Sequence, residues 1–111
     1  MEEDTQELFN AVQHGNLEDI QKCLDKGISV NSQKAGNNSL HLAVDSHGQQ
    51  FGANPLVRFL LDKGIDANLG NDGGNTALHI ATRKNFPSIL KILLGFGVDI
   101  DKKNTNEESA L

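Results

Sequence analysis

The residues of this chain that most invite a metal or catalytic reading are four histidines, His14, His41, His47 and His79, and one cysteine, Cys23. A structural zinc site takes four Cys, His or carboxylate ligands at short, fixed spacings. Five residues separate His41 from His47, and no cysteine or glutamate near them completes a tetrahedral set. Cys23 shares an apolar helical stripe with Ile20 and Leu24, the setting of an inert core thiol and not of an activated nucleophile. The stretch Gly-Asn-Asp-Gly-Gly-Asn at 70–75 is rich enough in glycine to cradle a phosphate. It lacks the lysine and hydroxyl residue of a P-loop and the spacing of a dinucleotide loop, and no strand pattern precedes it. With no paired nucleophile and base there is nowhere to place a reaction. The chain is expected not to be an enzyme, and to use no metal and no cofactor.

Two of the histidines occupy the same place in a repeated segment. Gly-Asn-Asn-Ser-Leu-His-Leu-Ala at 36–43 recurs as Gly-Asn-Thr-Ala-Leu-His-Ile-Ala at 74–81. The leucine of this segment is matched by Leu8, Leu40, Leu78 and Leu111, at spacings of 32, 38 and 33. Gly27, Gly64 and Gly97 recur at spacings of 37 and 33. A period near 33 marks stacked helix pairs whose apolar faces are covered by their neighbours. In the first unit Leu8, Ala11 and Val12 share one helical face, and Gly15 stops that helix as a left-handed residue does. Asn16 caps a second helix, with Asp19 three residues on, and Ile20, Cys23 and Leu24 form its stripe. The second unit repeats the pair at 40–45 and 55–62, with Pro55 at the first helical position behind a capping Asn54. The third gives 77–84 and 87–94, with Pro87 at the first position and Ile89, Leu90, Ile92, Leu93 and Leu94 as the stripe. Asparagine- and glycine-rich segments at 32–38, 69–75 and 102–108 have the chemistry of exposed turn tips.

A chain of 111 residues has room for one domain with a modest core. Five phenylalanines and no tryptophan or tyrosine leave that core to Leu, Ile, Val and Ala. A net charge of −5 and a pI near 5.2 give no basic footprint for nucleic acid. The acidic start lacks the pattern of a secretory signal, and no apolar run approaches the ~20 residues of a membrane span. A single cysteine excludes an intramolecular disulfide and fits a reducing compartment, so a cytoplasmic or nuclear location is expected.

The repeated unit resembles the ankyrin repeat. The third unit matches that family's pattern through Gly74, Thr76, Leu78, His79, Ala81, Ile89, Leu93, Leu94, Gly97 and Asp99. The second matches through Gly36, Leu40, His41, Ala43, Leu60, Leu61, Gly64, Asp66 and Asn68. The first keeps Leu8, Ala11, Gly15, Ile20, Leu24, Gly27 and Asn31, and is similar to an N-terminal capping repeat. The resemblance implies an all-α solenoid of stacked antiparallel helix pairs joined by protruding β-turn or hairpin loops. It divides one domain, 1–111, into a repeat or cap at 4–33, repeats at 34–70 and 71–103, and a partial fourth at 104–111. Ser39, Ala77 and Ala110 stand where the family has proline, and Asn38 stands where it has the hydroxyl residue that bonds the histidine. A net surplus of five residues falls at 46–54, while the turn near 34–36 is one residue short. With its fourth unit unfinished, the chain is expected to be an N-terminal piece of a longer protein, or to have its open end covered by a partner.

What the resemblance implies for function is a protein-binding scaffold that docks another protein on the concave face formed by turn tips and first helices. In the first unit and the turn after it, that face carries Gln13, His14, Gln33, Lys34, Ala35 and Asn37. It continues through Asp45, Ser46, Gly70, Asp72, Gly73 and Asn75 to Arg83, Lys84, Lys103, Thr105 and Asn106. A stiff scaffold loses little entropy on association, so modest contacts suffice. Phe51, in the extended turn, is either an exposed anchor for the partner or a plug folded back onto the helices. Asn68 lies in a segment similar to those that asparaginyl hydroxylases accept, which makes it a candidate modification site. Two other roles stay open: a targeting or regulatory segment of a larger enzyme or effector, and a direct inhibitor of a kinase or transcription factor. A monomer is expected, with a dimer through the open C-terminal end as the alternative.

Overall fold

In a computed structural model, residues 2–47 and 53–110 are described. They form six α-helices: α1 (Glu2–His14), α2 (Leu17–Asp25), α3 (Ser39–His47), α4 (Ala53–Asp62), α5 (Ala77–Lys84) and α6 (Pro87–Gly95). They pack as three pairs, α1 on α2, α3 on α4 and α5 on α6. The first helices stack in one layer, α1 on α3 on α5, and α4 packs on α6 in the other. The result measures 37 × 28 × 20 Å along its principal axes.

The stacking follows from three sequence rows that recur in register. Leu8, Leu40 and Leu78 are fully buried, and three residues on, Ala11, Ala43 and Ala81 are buried too. The small alanines let neighbouring first helices approach closely while the leucines fill the space between layers. One further residue along, Val12 and Val44 are buried, but the third unit has Thr82, whose hydroxyl is shut away from solvent with no hydrogen-bond partner among the described residues. In the second layer Cys23 takes the place of Leu60 and Leu93, and all three are buried.

Each second helix ends in the same way. Gly27, Gly64 and Gly97 have φ of +94°, +86° and +76°. Their amides donate to the carbonyls of Leu24, Leu61 and Leu94, and the next amides, of Ile28, Ile65 and Val98, reach back to Cys23, Leu60 and Leu93. This pair of bonds is the Schellman stop, in which only glycine takes the left-handed residue without steric cost. The first helices also stop on left-handed residues, Gly15 at +68° and Asn85 at +58°. Asn16 caps α2 as expected, its side chain accepting from the Asp19 amide at 3.1 Å.

Several expectations need correction. α1 starts at Glu2, well before the Leu8 face that marks it in the sequence. α4 begins at Ala53, so Asn54 is not its cap and Pro55 is the third residue instead of the first. Proline costs little there, because the amides of a first turn have no intrahelical partner. α3 runs on to His47, so part of the surplus in the second unit is taken up as helix. Two residues join the helices of the first and third pairs, whereas five, 48–52, separate α3 from α4. Those five, Phe51 among them, lie outside the described residues. Among the described residues the turn tips are not hairpins of paired strands: each turn is closed locally, with isolated bridges Lys34–Asn37 and Lys103–Ser109.

Three stability effects follow, each read by urea unfolding. Gly64→Ala loses about 1 kcal/mol although nothing lies within 4 Å of the added methyl, because the cost is conformational. Glu107→Gly gains about 1 kcal/mol, since Glu107 is held at φ +62°. Thr82→Val, an isosteric change, gains about 1 kcal/mol by removing a hydroxyl buried without a partner.

Candidate functional site

The first helices present their buried histidines to the turns of the next unit. His41 Nδ1 accepts from the Asn38 amide at 3.1 Å, which leaves the proton on Nε2, and Nε2 donates to the Asn75 carbonyl at 2.8 Å. His79 repeats the arrangement: Nδ1 accepts from the Thr76 amide at 3.1 Å and Nε2 donates to the Glu108 carbonyl at 2.9 Å. Each ring thus ties the start of its own helix to a turn 29 or 34 residues along the chain. The Asn38 substitution does not break the tie. Its Oδ1 accepts from the His41 amide at 3.0 Å, as Thr76 Oγ1 does from His79, and its side-chain Nδ2 donates to the Asp66 carbonyl. Burial holds the His41 imidazole below its ordinary pKa, so the ring is neutral and its Nδ1 free to accept.

Asparagines make a second set of ties between units. Asn31 Oδ1 accepts from the Asp66 amide and Asn68 Oδ1 from the Asp99 amide, both at 2.7 Å. Asn68, the candidate modification site, is half-buried, and its backbone carbonyl also accepts from Lys102 Nζ. Asn104 Nδ2 donates to Asn75 Oδ1, and Thr105 donates to the Gly73 carbonyl through both its amide and its hydroxyl. Gly74 lies so close to this turn that a Cβ there would stand 2.7 Å from the Thr105 nitrogen.

The turns themselves differ in a way the spacing announces. The shorter one runs 34–37: Lys34 and Asn37 exchange both backbone bonds, and Ala35 and Gly36 both have positive φ, at +52° and +80°. That is a two-residue type I′ turn. At 71–75 the loop has one residue more, closed by Asn71 and Asn75, and 104–108 follows the same plan with Glu107 in the place of Gly74.

Between the turns and the first helices lies a groove of about 450 Å³. Lys34, Asn37 and Asn75 from the turns, and Asp45, Arg83 and Lys84 from α3 and α5, come together around it. Lys84 Nζ bridges back to Asp45 at 2.7 Å, and Arg83 Nη2 points at Asn75 Oδ1 at 3.5 Å. Ala35 lines it as well, and several other expected residues stand elsewhere. His14 lies at the outer end of the first pair, with Nδ1 2.7 Å from the Asn10 carbonyl, in a separate pocket with Lys22 and Cys23. Burial lifts the thiol of Cys23 above its ordinary value, and the Glu7 carboxylate adds to the shift. Gln13, Gln33, Ser46 and Lys103 are exposed and line neither cavity. Asp72 lies against Gly36, whose missing Cβ leaves room for its carboxylate. Sequence reasoning missed the groove floor, Phe9, Leu42 and Ile80. The signal was available: Leu42 and Ile80 are the apolar residues between the histidine and the alanine, off the face that the leucine row buries. Among the described residues no group of three or more His, Cys, Asp or Glu is placed to hold a metal, and no helix is long and apolar enough to cross a membrane.

Paired helices stacked in register, with histidine-tied turns along one edge, define a helical repeat protein. The pattern of ankyrin repeats, in three copies, matches residues 8–104, and the chain belongs to the ankyrin-repeat family, a non-catalytic one. It is 37% identical over 85 residues to a putative ankyrin repeat protein of Rickettsia felis, covering 72% of this chain and 37% of that protein. It is 32% identical over 107 residues to the human protein fem-1 homolog A, covering 89% of this chain and 15% of that one. A third relative is the zebrafish protein fem-1 homolog C, 34% identical over 83 residues, with 68% and 13% covered. The chain spans less than half the length of each of these relatives.

The His41 tie gives stability a pH dependence of known sign. Because burial lowers the pKa of His41, the folded chain holds fewer protons there than the unfolded one. That contribution is complete above the unfolded value of about 6.5 and is lost as the pH falls below it. The urea midpoint is expected to hold steady above about pH 7 and to drop toward acid. His41→Asn should start lower and fall less steeply; parallel slopes would show that His41 does not carry the effect.

Proposed function

We propose that the groove between the turns and the first helices is the docking surface for a protein partner, and that the chain works as a scaffold. The observation that carries this reading is the tying of the 71–75 and 104–108 turns to each other and each to a buried histidine in the helix beneath it. Polar side chains at the tips are thereby held in place before any partner arrives, which lowers the entropy lost on association. A floor of Phe9, Leu42 and Ile80 rimmed by Lys34, Asn75 and Arg83 has the anatomy of an interaction site, apolar at the centre and polar at the edge. The non-catalytic character of the family supports binding as the activity.

A photo-crosslinking amino acid at Leu42, on the groove floor, is expected to give a discrete protein adduct in cells. The same group at the exposed Lys91, in the other layer, is not. Adducts from Lys91 alone would place the partner on the wrong face.

A further inference from the structure

The charge of the groove is opposite to that of the chain. The whole sequence carries −5, yet the groove is lined by three cations, Lys34, Arg83 and Lys84, against one carboxylate, Asp45. His41, at the base, is neutral. The single carboxylate is already committed to Lys84. Lys34 and Arg83 are exposed, and among the described residues neither has a carboxylate partner. Asp72 lies against Gly36, Glu107 and Glu108 sit on the 104–108 turn, and none of the three lines the groove. Two cations without a carboxylate partner among the described residues therefore line the groove together with its apolar floor.

The floor has a definite length. Phe9, Leu42 and Ile80 come one from each of α1, α3 and α5. Helices in contact lie roughly 8–10 Å apart, so the three residues span roughly 20 Å. An extended chain of about six residues, at about 3.3 Å each, has that reach.

We infer that the groove takes an extended acidic segment of a partner protein, about six residues long, with apolar side chains on the floor and carboxylates on Arg83 and Lys34. This rests on the groove being the docking surface and names the chemistry of what docks there. A carboxylate accepts two parallel bonds from a guanidinium, and Arg83 makes only one long contact, to Asn75. A basic segment would meet Arg83 and Lys34 with like charge and find a single carboxylate already paired. A wholly polar acidic segment would leave the floor uncovered.

The test uses the full chain and short fluorescein-labelled peptide pools read by fluorescence anisotropy. One pool mixes Asp and Glu with Leu and Phe, a second mixes Lys and Arg with Leu and Phe, and a third mixes Ser and Gln with Leu and Phe. The acidic pool is expected to bind at least about tenfold tighter than the basic one, and more weakly at high salt. Lys34→Glu/Arg83→Glu should weaken it by about tenfold or more, with circular dichroism unchanged because both side chains are exposed. Lys91→Glu, outside the groove, should leave it unchanged. Equal or tighter binding of the basic or neutral pool overturns the acidic assignment. So does tighter binding of a single-stranded oligonucleotide, undiminished binding by the double variant, or no binding by any pool. A Leu42 crosslink that persists in any of those cases leaves the docking surface standing while this inference falls.

Discussion

The interaction on which the rest depends is a hydrogen bond from a buried imidazole to a carbonyl in the next turn. His41 and His79 each spend one nitrogen on the start of their own helix and the other on the following unit. A bond of this kind contributes about 1 kcal/mol net, but losing it strands buried polar groups at about 1–3 kcal/mol. The turns need this help because they bury little apolar surface of their own. The helices stack through Leu8, Leu40, Leu78 and the alanine row, whereas the tips are placed by polar ties. Packing sets the curve of the stack, and hydrogen bonds set its edge.

The first unit shows what happens where the tie is absent. Phe9 stands at the position that His41 and His79 occupy in the later units, and it can donate nothing. The turn that it would have pinned, 34–37, is the shortest and closes on itself with two backbone bonds in a type I′ geometry. The ring of Phe9 is instead part of the groove floor. One substitution thus removes a structural bond and supplies apolar surface to the groove.

Most of the architecture was legible because the repeat is written in residue types with one physical role each. Glycines 33 or 37 residues apart marked the repeat, and all three stand at left-handed helix stops with positive φ. The buried leucine and alanine rows, the Asn16 cap and the one-residue shortening near 34–36 could be read directly. Helix starts were less clear: Glu2 and Ala53 begin their helices without a capping signal of the Asn16 kind. Asn38 departs from the family's hydroxyl residue, yet its carboxamide offers the same acceptor for the helix amide and adds a donor to the Asp66 carbonyl. At the groove, the charged rim was found from register alone. Its floor was not: Leu42 and Ile80 lie off the buried leucine face, but that they share a groove with Phe9 shows only once α1, α3 and α5 are placed side by side.

The central claim is that the histidine ties, beyond helix packing, hold the turns in a fixed arrangement ready for a partner. Amide hydrogen exchange in a His41→Phe variant tests it most directly. Asn71, Gly74 and Asn75 amides are expected to lose protection, while those within α5 and α6 keep theirs. Unchanged protection across 71–75 would contradict the account, because the turn would then be ordered without the bond assigned to hold it.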